Sequence, residues 1–444
     1  MSSVAEQGRL MTAAQTAHEV KLTYRKVIWR LLPFLFLAYV INAIDRINIS
    51  FAKLRMAEDL ALSDAAYGLG AAAFFVGYIL FEVPSNLYMQ RVGARATITR
   101  IMVLWGLVTI STSLVETATG LYVVRFLLGV AEAGFFPGVI LYLTYWFPAS
   151  RRGRITSIFL MAGIVAGIVS GPLAGWIMTH FHGWAGLKDW QALFVLEGIP
   201  AVLLGLFAWF WLDDKPQQVK WLSEREKQIV LDALAAEHRE AGAGHGSFLH
   251  LLRDPRVFMC GLVFFCIYSG TNTVAYWMPT LIQGFGLADI RQIGLISSLP
   301  YAVALVAMYL LGRSSDRHLE RRWHLALTML TGAGSFVLLG LFQGNLMLSV
   351  LFMSVGAAAC LSAVPLFWTI PPTYLSGASA AGGIALISSL GGIAAMVSPV
   401  LVGGIKTQTG SLYLAFDVIA GLLVIGASVL LLAIPARVLR DHRA

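Results

Sequence analysis

Four ionisable residues stand inside long apolar runs: Asp45 and Arg46 in one, Arg125 and Glu132 in another. A charge at mid-bilayer costs roughly 2.5–3.5 kcal/mol on insertion scales, so such residues point to function. A guanidinium stays charged and grips a carboxylate through two parallel hydrogen bonds, which makes Arg46 and Arg125 candidate anion-binding residues. Asp45 and Glu132 are candidate proton sites, because burial and a nearby arginine move a carboxyl's proton affinity in opposite directions. Motion that makes or breaks a contact between Asp45 and Arg125 would then couple protonation to conformation. The bland alternative is a static ion-pair network that only locks the two helices together.

The elements that must position them follow from composition. Of 444 residues, 58% are hydrophobic and 13% are charged, with a mean hydropathy of +0.74. Soluble domains run nearer ~45–50% apolar and ~25% charged, so a soluble protein and a disordered one are both excluded. A spanning helix needs about 20 mostly apolar residues. Apolar runs occur at about 27–50, 64–90, 96–115, 119–147, 154–181 and 190–212, then 254–284, 290–312, 323–342, 346–373, 378–405 and 411–436. The expected fold is therefore an all-α membrane protein with 12 transmembrane helices in two pseudo-symmetric six-helix bundles. The bundles cover 27–212 and 254–436; residues 1–26 and 437–444 are cytoplasmic ends, and 213–253 is a cytoplasmic linker. Within the linker, Ser223-Glu224-Arg225-Glu226 has capping-box spacing and opens a surface helix to about Glu240, ended by Ala241-Gly242-Ala243-Gly244.

Charge sets the orientation. Residues 1–26 hold no long apolar run, so the N-terminus is expected in the cytoplasm. With that choice 25 of the 32 Lys and Arg fall on the cytoplasmic side and five on the outer side, as expected for a multi-pass inner (plasma) membrane protein. The same bias explains the net charge of +8 without nucleic acid as a partner. By helix rise, Arg46 lies about 6 Å and Arg125 about 9 Å from the outer ends of their spans, with Glu132 about 10 Å deeper than Arg125 on the same face.

The halves repeat. Pro172 and Pro399, each preceded by a small residue and followed by glycine, stand 227 residues apart, and the loop residues Gln90 and Asp316 stand 226 apart. A duplicated six-span unit is typical of transporters with a central site.

Specific stretches carry a resemblance. They are Gly312-Arg313-Ser314-Ser315-Asp316-Arg317, Ile44-Asp45-Arg46-Ile47-Asn48-Ile49, Val83-Pro84-Ser85-Asn86, the run Arg125 to Gly138, Trp211-Leu212-Asp213-Asp214 and Phe367-Trp368. Over residues 25–436 the chain resembles the major facilitator superfamily, and within it the anion:cation symporter branch. It looks nearest to bacterial permeases for phthalate, hydroxyphenylacetate and tartrate. The resemblance implies proton sites at Asp45 and Glu132, gate or anion-binding roles for Arg46 and Arg125, and substrate contact at Tyr78. It implies a small organic acid and protons as partners, a lipid bilayer as medium, a monomer, and no enzyme activity or cofactor.

The second half carries no matching charges. It offers Asn272 as a substrate contact, since an amide in a span needs a partner, with Trp368 and Ser388 beside it. Ser388 and Gly392 stand where related symporters often have asparagines, which favours an aromatic or less hydroxylated acid over a sugar acid. Glu82 reads as a snorkelling charge and Glu197 as an end-of-helix charge. The glycines of Gly163 to Gly175 read as close helix packing, although glycine-rich Gly-Pro helices also mark proton-coupled exporters of drugs or metabolites, the alternative function. Cys260, Cys266 and Cys360 lie in apolar runs, and His180 with His182 lack further ligands, so no metal site is expected.

Overall fold

The structure, a computed structural model, describes residues 2–240, 254–318, 320–371 and 379–434. The expected stop of the linker helix at 241–244 and the tail 437–444 lie outside the described residues. Twelve helices among the described residues are long and apolar enough to cross a membrane. Spans 1 to 6 are His18–Asp59, Asp64–Val92, Ala94–Leu114, Ala118–Thr144, Ala149–His180 and Asp189–Trp211. Spans 7 to 12 are Pro255–Gln283, Ile290–His318, Arg322–Leu341, Leu346–Trp368, Gly382–Thr409 and Leu412–Ala433. The all-α, twelve-span fold read from the sequence is thus borne out.

Helix is the form that hydrocarbon allows, because each backbone N–H and C=O must be satisfied within its own segment. The starts are set by side-chain caps. Ser63 accepts from the amide of Ala66, Thr117 from Gly120, Asn345 from Leu348 and Ser411 from Leu414. Each such cap contributes about 1 kcal/mol. Helix 1 overruns its apolar stretch at both ends. At the start Tyr24 and Val27 are buried, with Tyr24 packed on Phe147 at 6.1 Å. At the end Phe51, Ala52, Leu54 and Met56 are buried as well.

A helix over Glu224–Glu240 lies on one face of the bundle, called here the linker face. Ser223 and Glu226 close a capping box, with the Ser223 amide donating to Glu226 at 2.9 Å. The helix is tied to the spans by Lys26 on Glu226 and by Arg152 on Glu237 at 2.7 Å. Burial alone would raise the proton affinity of Glu226, but the Lys26 ammonium and the Ser223 amide outweigh it and hold the carboxyl below its ordinary range.

The halves meet mainly through spans 2 and 11, 5 and 8, and 1 and 7. A methyl group at Gly68 would run into the carbonyl of Pro399, and one at Gly171 into that of Gly294. These two crossings match one another through the internal repeat to within one residue. Around them the Tyr67 hydroxyl donates to the Tyr276 carbonyl at 3.0 Å, and the Ala65 amide donates to Thr407 at 2.8 Å. Lys53 donates to Thr280 at 3.2 Å, and Lys406 pairs with Asp64 at 3.2 Å. All these contacts lie at the face opposite the linker, so the molecule is clamped shut there.

Candidate functional site

The buried charges gather where helices cross closely. Spans 2 and 4 approach until a methyl at Gly77 would strike the Phe126 carbonyl and one at Gly129 the Phe74 carbonyl. That approach brings Phe74 and Tyr78 against span 1. Span 4 is itself broken, into Ala118–Glu132 and Phe135–Thr144. Gly134 takes the left-handed conformation with φ 88°, which a side chain resists, and any side chain there would also strike Ser85. Glu132 is therefore the last residue of a half-helix in the membrane interior.

Glu132 is fully buried. Its Oε2 accepts from Arg46 Nε at 2.8 Å and from Asn42 Nδ2 at 2.8 Å. Arg46 keeps 22% of its side chain exposed. One edge of its guanidinium is fixed to Glu132, while Nη2 has no hydrogen-bond partner among the described residues. Its carbon lies 4.8 Å over the Tyr78 ring and 5.2 Å over Phe74. Two aromatic rings of span 2 thus cover a guanidinium whose Nη2 is unpaired among the described residues.

Asp45 is buried on the next face of span 1. It accepts from Trp105 Nε1 at 2.6 Å and from Asn48 Nδ2 at 3.3 Å. Arg125 is 1% exposed and lies 4.9 Å over the Phe74 ring. None of its three guanidinium nitrogens has a hydrogen-bond partner among the described residues. It forms no hydrogen bond or ion pair with Asp45. The pairing is therefore Arg46 with Glu132 rather than Asp45 with Arg125.

The second half supplies neutral groups. Asn272 is buried and donates to the Tyr268 carbonyl of its own helix at 2.8 Å. Trp368 is half-buried, edge-on to Phe264 at 4.9 Å. Ser388 is exposed. At Gly392 an added methyl would sit in ordinary contact with the Ile79 side chain, at 3.4 Å.

Comparison with known proteins places this geometry. The sequence pattern of the Major Facilitator Superfamily matches residues 35–399. The chain belongs to that superfamily. It is 45% identical over 420 residues to NicT of Pseudomonas putida KT2440, provisionally named a metabolite transport protein, covering 95% of this chain and 96% of that one. A provisionally named tartrate transporter of Agrobacterium vitis is 42% identical, covering 92% and 93%. A quinolone resistance transporter of Acinetobacter baumannii is 41% identical, covering 87% and 89%. The fold matches the inward open conformation of the xylose transporter XylE from E. coli with a TM-score of 0.73 at 17% identity, covering 92% and 96%. The chain is a multi-pass membrane transporter of this superfamily, not an enzyme, with two six-helix halves.

Several residues at the site escaped sequence reading. Asn42 and Asn48 hold Glu132 and Asp45, and they follow from their place one turn before and after the Asp45-Arg46 pair. Trp105 looked like one apolar residue among many. Glu197 is 4% exposed, where an end-of-helix charge had been expected. The span 5 glycines do pack helices closely, but across the joint between the halves, against Gly294, Arg291 and Tyr301 of span 8.

Proposed function

We propose that this transporter imports a small organic anion with protons, by alternating access at a site between the halves. The observation that carries the reading is Arg46, held to Glu132 through Nε, with Nη2 unpaired among the described residues and the Tyr78 and Phe74 rings packed on it. A free guanidinium edge suits a carboxylate, and the two rings suit an aromatic body. Ser388 and Gly392, standing where related symporters often have asparagines, also favour an aromatic or lightly hydroxylated acid. Glu132 and Asp45 are the proton sites. Protonating Glu132 releases Arg46 to the anion, and Arg125 receives the anion in the alternate state. Two protons per monoanion would move one positive charge inward and gain about 2.3 kcal/mol per 100 mV. The protein works as a monomer in the inner membrane with both termini in the cytoplasm, so the clamped face is the outer one.

One relative supports a second reading, a proton-coupled exporter of drugs or metabolites. The test is uptake into proteoliposomes with an inward proton gradient, using hydroxyphenylacetate, phthalate, tartrate and galactonate. Gradient-driven uptake of one acid, lost in Arg125→Ala and uncoupled in Glu132→Gln, is the expected result. Movement of a quinolone against the proton gradient, with none of the acids taken up, would replace import by export.

A further inference from the structure

The clamp opposite the linker holds more positive charge than it balances. Lys53 of span 1 lies 2.6 Å from Asp64 Oδ1 of span 2, and Lys406 of span 11 lies 3.2 Å from Oδ2 of the same carboxylate. Among the described residues neither lysine has a second carboxylate within ion-pair distance. Asp59, at the end of span 1, is held by Lys188 and Trp190 instead. Two ammonium groups therefore share one acid across the joint between the halves. Lys53 is 5% exposed, and a charge so deeply placed without a counter-charge of its own is costly.

Trp277 of span 7 lies beneath both ammonium groups, with Lys53 Nζ 4.0 Å and Lys406 Nζ 5.9 Å from its ring centre. Tyr67 of span 2 packs edge-on to that ring at 5.2 Å and lies 4.6 Å from Lys53 Nζ. Trp277 is fully buried, yet its indole N–H has no acceptor among the described residues. An indole nitrogen can only donate. An excess positive charge and an unmet donor thus stand at one aromatic ring, and both are answered by a carboxylate oxygen.

The cluster also stands in line with the central charges. Lys53 follows Arg46 by seven residues on span 1, and Tyr67 precedes Phe74 by seven on span 2. Seven residues make two turns, about 10 Å along the helix and back to nearly the same face. Arg46 and Arg125 lie over Phe74 at 5.2 and 4.9 Å, much as Lys53 lies over Tyr67. The two spans run in opposite directions, so the cation-on-ring pair at the clamp repeats the central one two turns nearer the closed face.

We propose that Lys53, Lys406 and Trp277 form a second anion site, which takes the carboxylate of an organic acid arriving from the clamped side, and that Asp64 occupies this site while the clamp is shut. Asp64 is a tethered competitor for the two lysines. An entering carboxylate frees it from both and loosens the joint. When the acid moves on towards Arg46 and Arg125, Asp64 returns and the joint closes again. The onward step rests on the anion import proposed above; the site itself does not.

The experiment reads the clamp and not transport. A Thr280→Cys reporter, placed where Lys53 donates at 3.2 Å, is labelled in proteoliposomes with a membrane-impermeant maleimide at constant ionic strength. Labelling is followed with and without external hydroxyphenylacetate, phthalate, tartrate or galactonate, and with hydroxyphenylacetamide as the uncharged control. The reporter is carried on Arg125→Ala, so that a loss of uptake leaves the response of the clamp in view. At least one acid is expected to raise the labelling rate by about threefold or more, the factor that exchange of a partly exposed ion pair supports, while the amide leaves it unchanged. Lys53→Gln is expected to abolish the response, and Lys406→Arg to keep it. Lys406→Gln, at a side chain that is 22% exposed, is expected to abolish it as well and keeps the test open where Lys53→Gln folds poorly. No response to any acid, an equal response to the amide, or a response that survives the Lys→Gln variants would overturn the proposal. A response in a protein whose Arg125 form takes up none of the acids would uphold the site and remove import, so the two readings fail separately.

Discussion

At an offset of 227 residues, Asp45 of the first half corresponds to Asn272 of the second, Arg46 to Thr273, Arg125 to Phe352, Glu132 to Ala359 and Glu197 to Val424. The packing frame is kept, down to Pro172 and Pro399 and the paired crossings beside them, while every buried charge of that layer becomes neutral. The polar groups differ in how they are satisfied. In the first half they bind across helices, as Glu132 does to Asn42 and Arg46. In the second, Asn272 and Ser389 bind their own backbone one turn back, at Tyr268 and Ala385, and Thr271 is shared between Ile267 one turn back and the Cys360 carbonyl of span 10. Releasing a local hydrogen bond costs about 1 kcal/mol, whereas stranding a buried charge costs about 3–5 kcal/mol. The first half therefore holds the charge chemistry, and the second offers groups that can turn to a ligand cheaply.

The sharpest way to break this comparison is to truncate equivalent layers. Glu132→Ala strands Arg46 and Asn42, and it is expected to destabilise the detergent-solubilised protein by about 3–5 kcal/mol in thermal unfolding. Asn272→Ala is expected to cost about 1 kcal/mol in the same assay. Equal losses would mean that the halves are not divided in this way.

The clamp gives the next effect. Gly171→Val forces side-chain bulk against the Gly294 carbonyl, an overpacking worth about 1–3 kcal/mol. At tenfold per 1.4 kcal/mol, this is expected to raise the labelling rate of a Thr280→Cys reporter by roughly 5–150-fold. An unchanged rate would show that the crossing is no part of the seal. Within the clamp the two lysines rank unequally. Lys53 is 5% exposed and 2.6 Å from Asp64, while Lys406 is 22% exposed. Lys406→Ala is expected to change the same labelling rate by no more than about fivefold, as exposed pairs contribute about 0.2–1 kcal/mol. Lys53→Ala is expected to exceed it.

The smallest effect is at the linker helix. The Glu226 carboxyl sits below its ordinary range when docked, so its contribution is present above the unfolded value of about 4.3 and fades as pH falls through the docked value. Hydrogen exchange over Glu224–Glu240 is expected to speed up only under such acid conditions. Lys26→Ala should remove that pH dependence.

The twelve spans were legible because hydropathy adds up locally over about 20 residues. Asp45, Arg46, Arg125 and Glu132 were legible for the same reason, as charges standing out in apolar runs. Their partners were not. Depth along two helices leaves their rotation open, and the break after Glu132 turns that carboxylate to Arg46 while Arg125 stays without a partner. Glu197 looked like a helix-end charge because only the crossing of Gly106 and Gly198, a tertiary fact, buries it. Ser388 was singled out by its place in the sequence, and helix rotation leaves it exposed.

The division of labour is tested most directly by comparing proton-driven accumulation with substrate counterflow in one set of proteoliposomes. The account predicts that Glu132→Gln abolishes accumulation but retains counterflow, while Asn272→Ala raises KM in both and leaves their ratio unchanged. Accumulation that survives Glu132→Gln, or a ratio that collapses in Asn272→Ala, would contradict it.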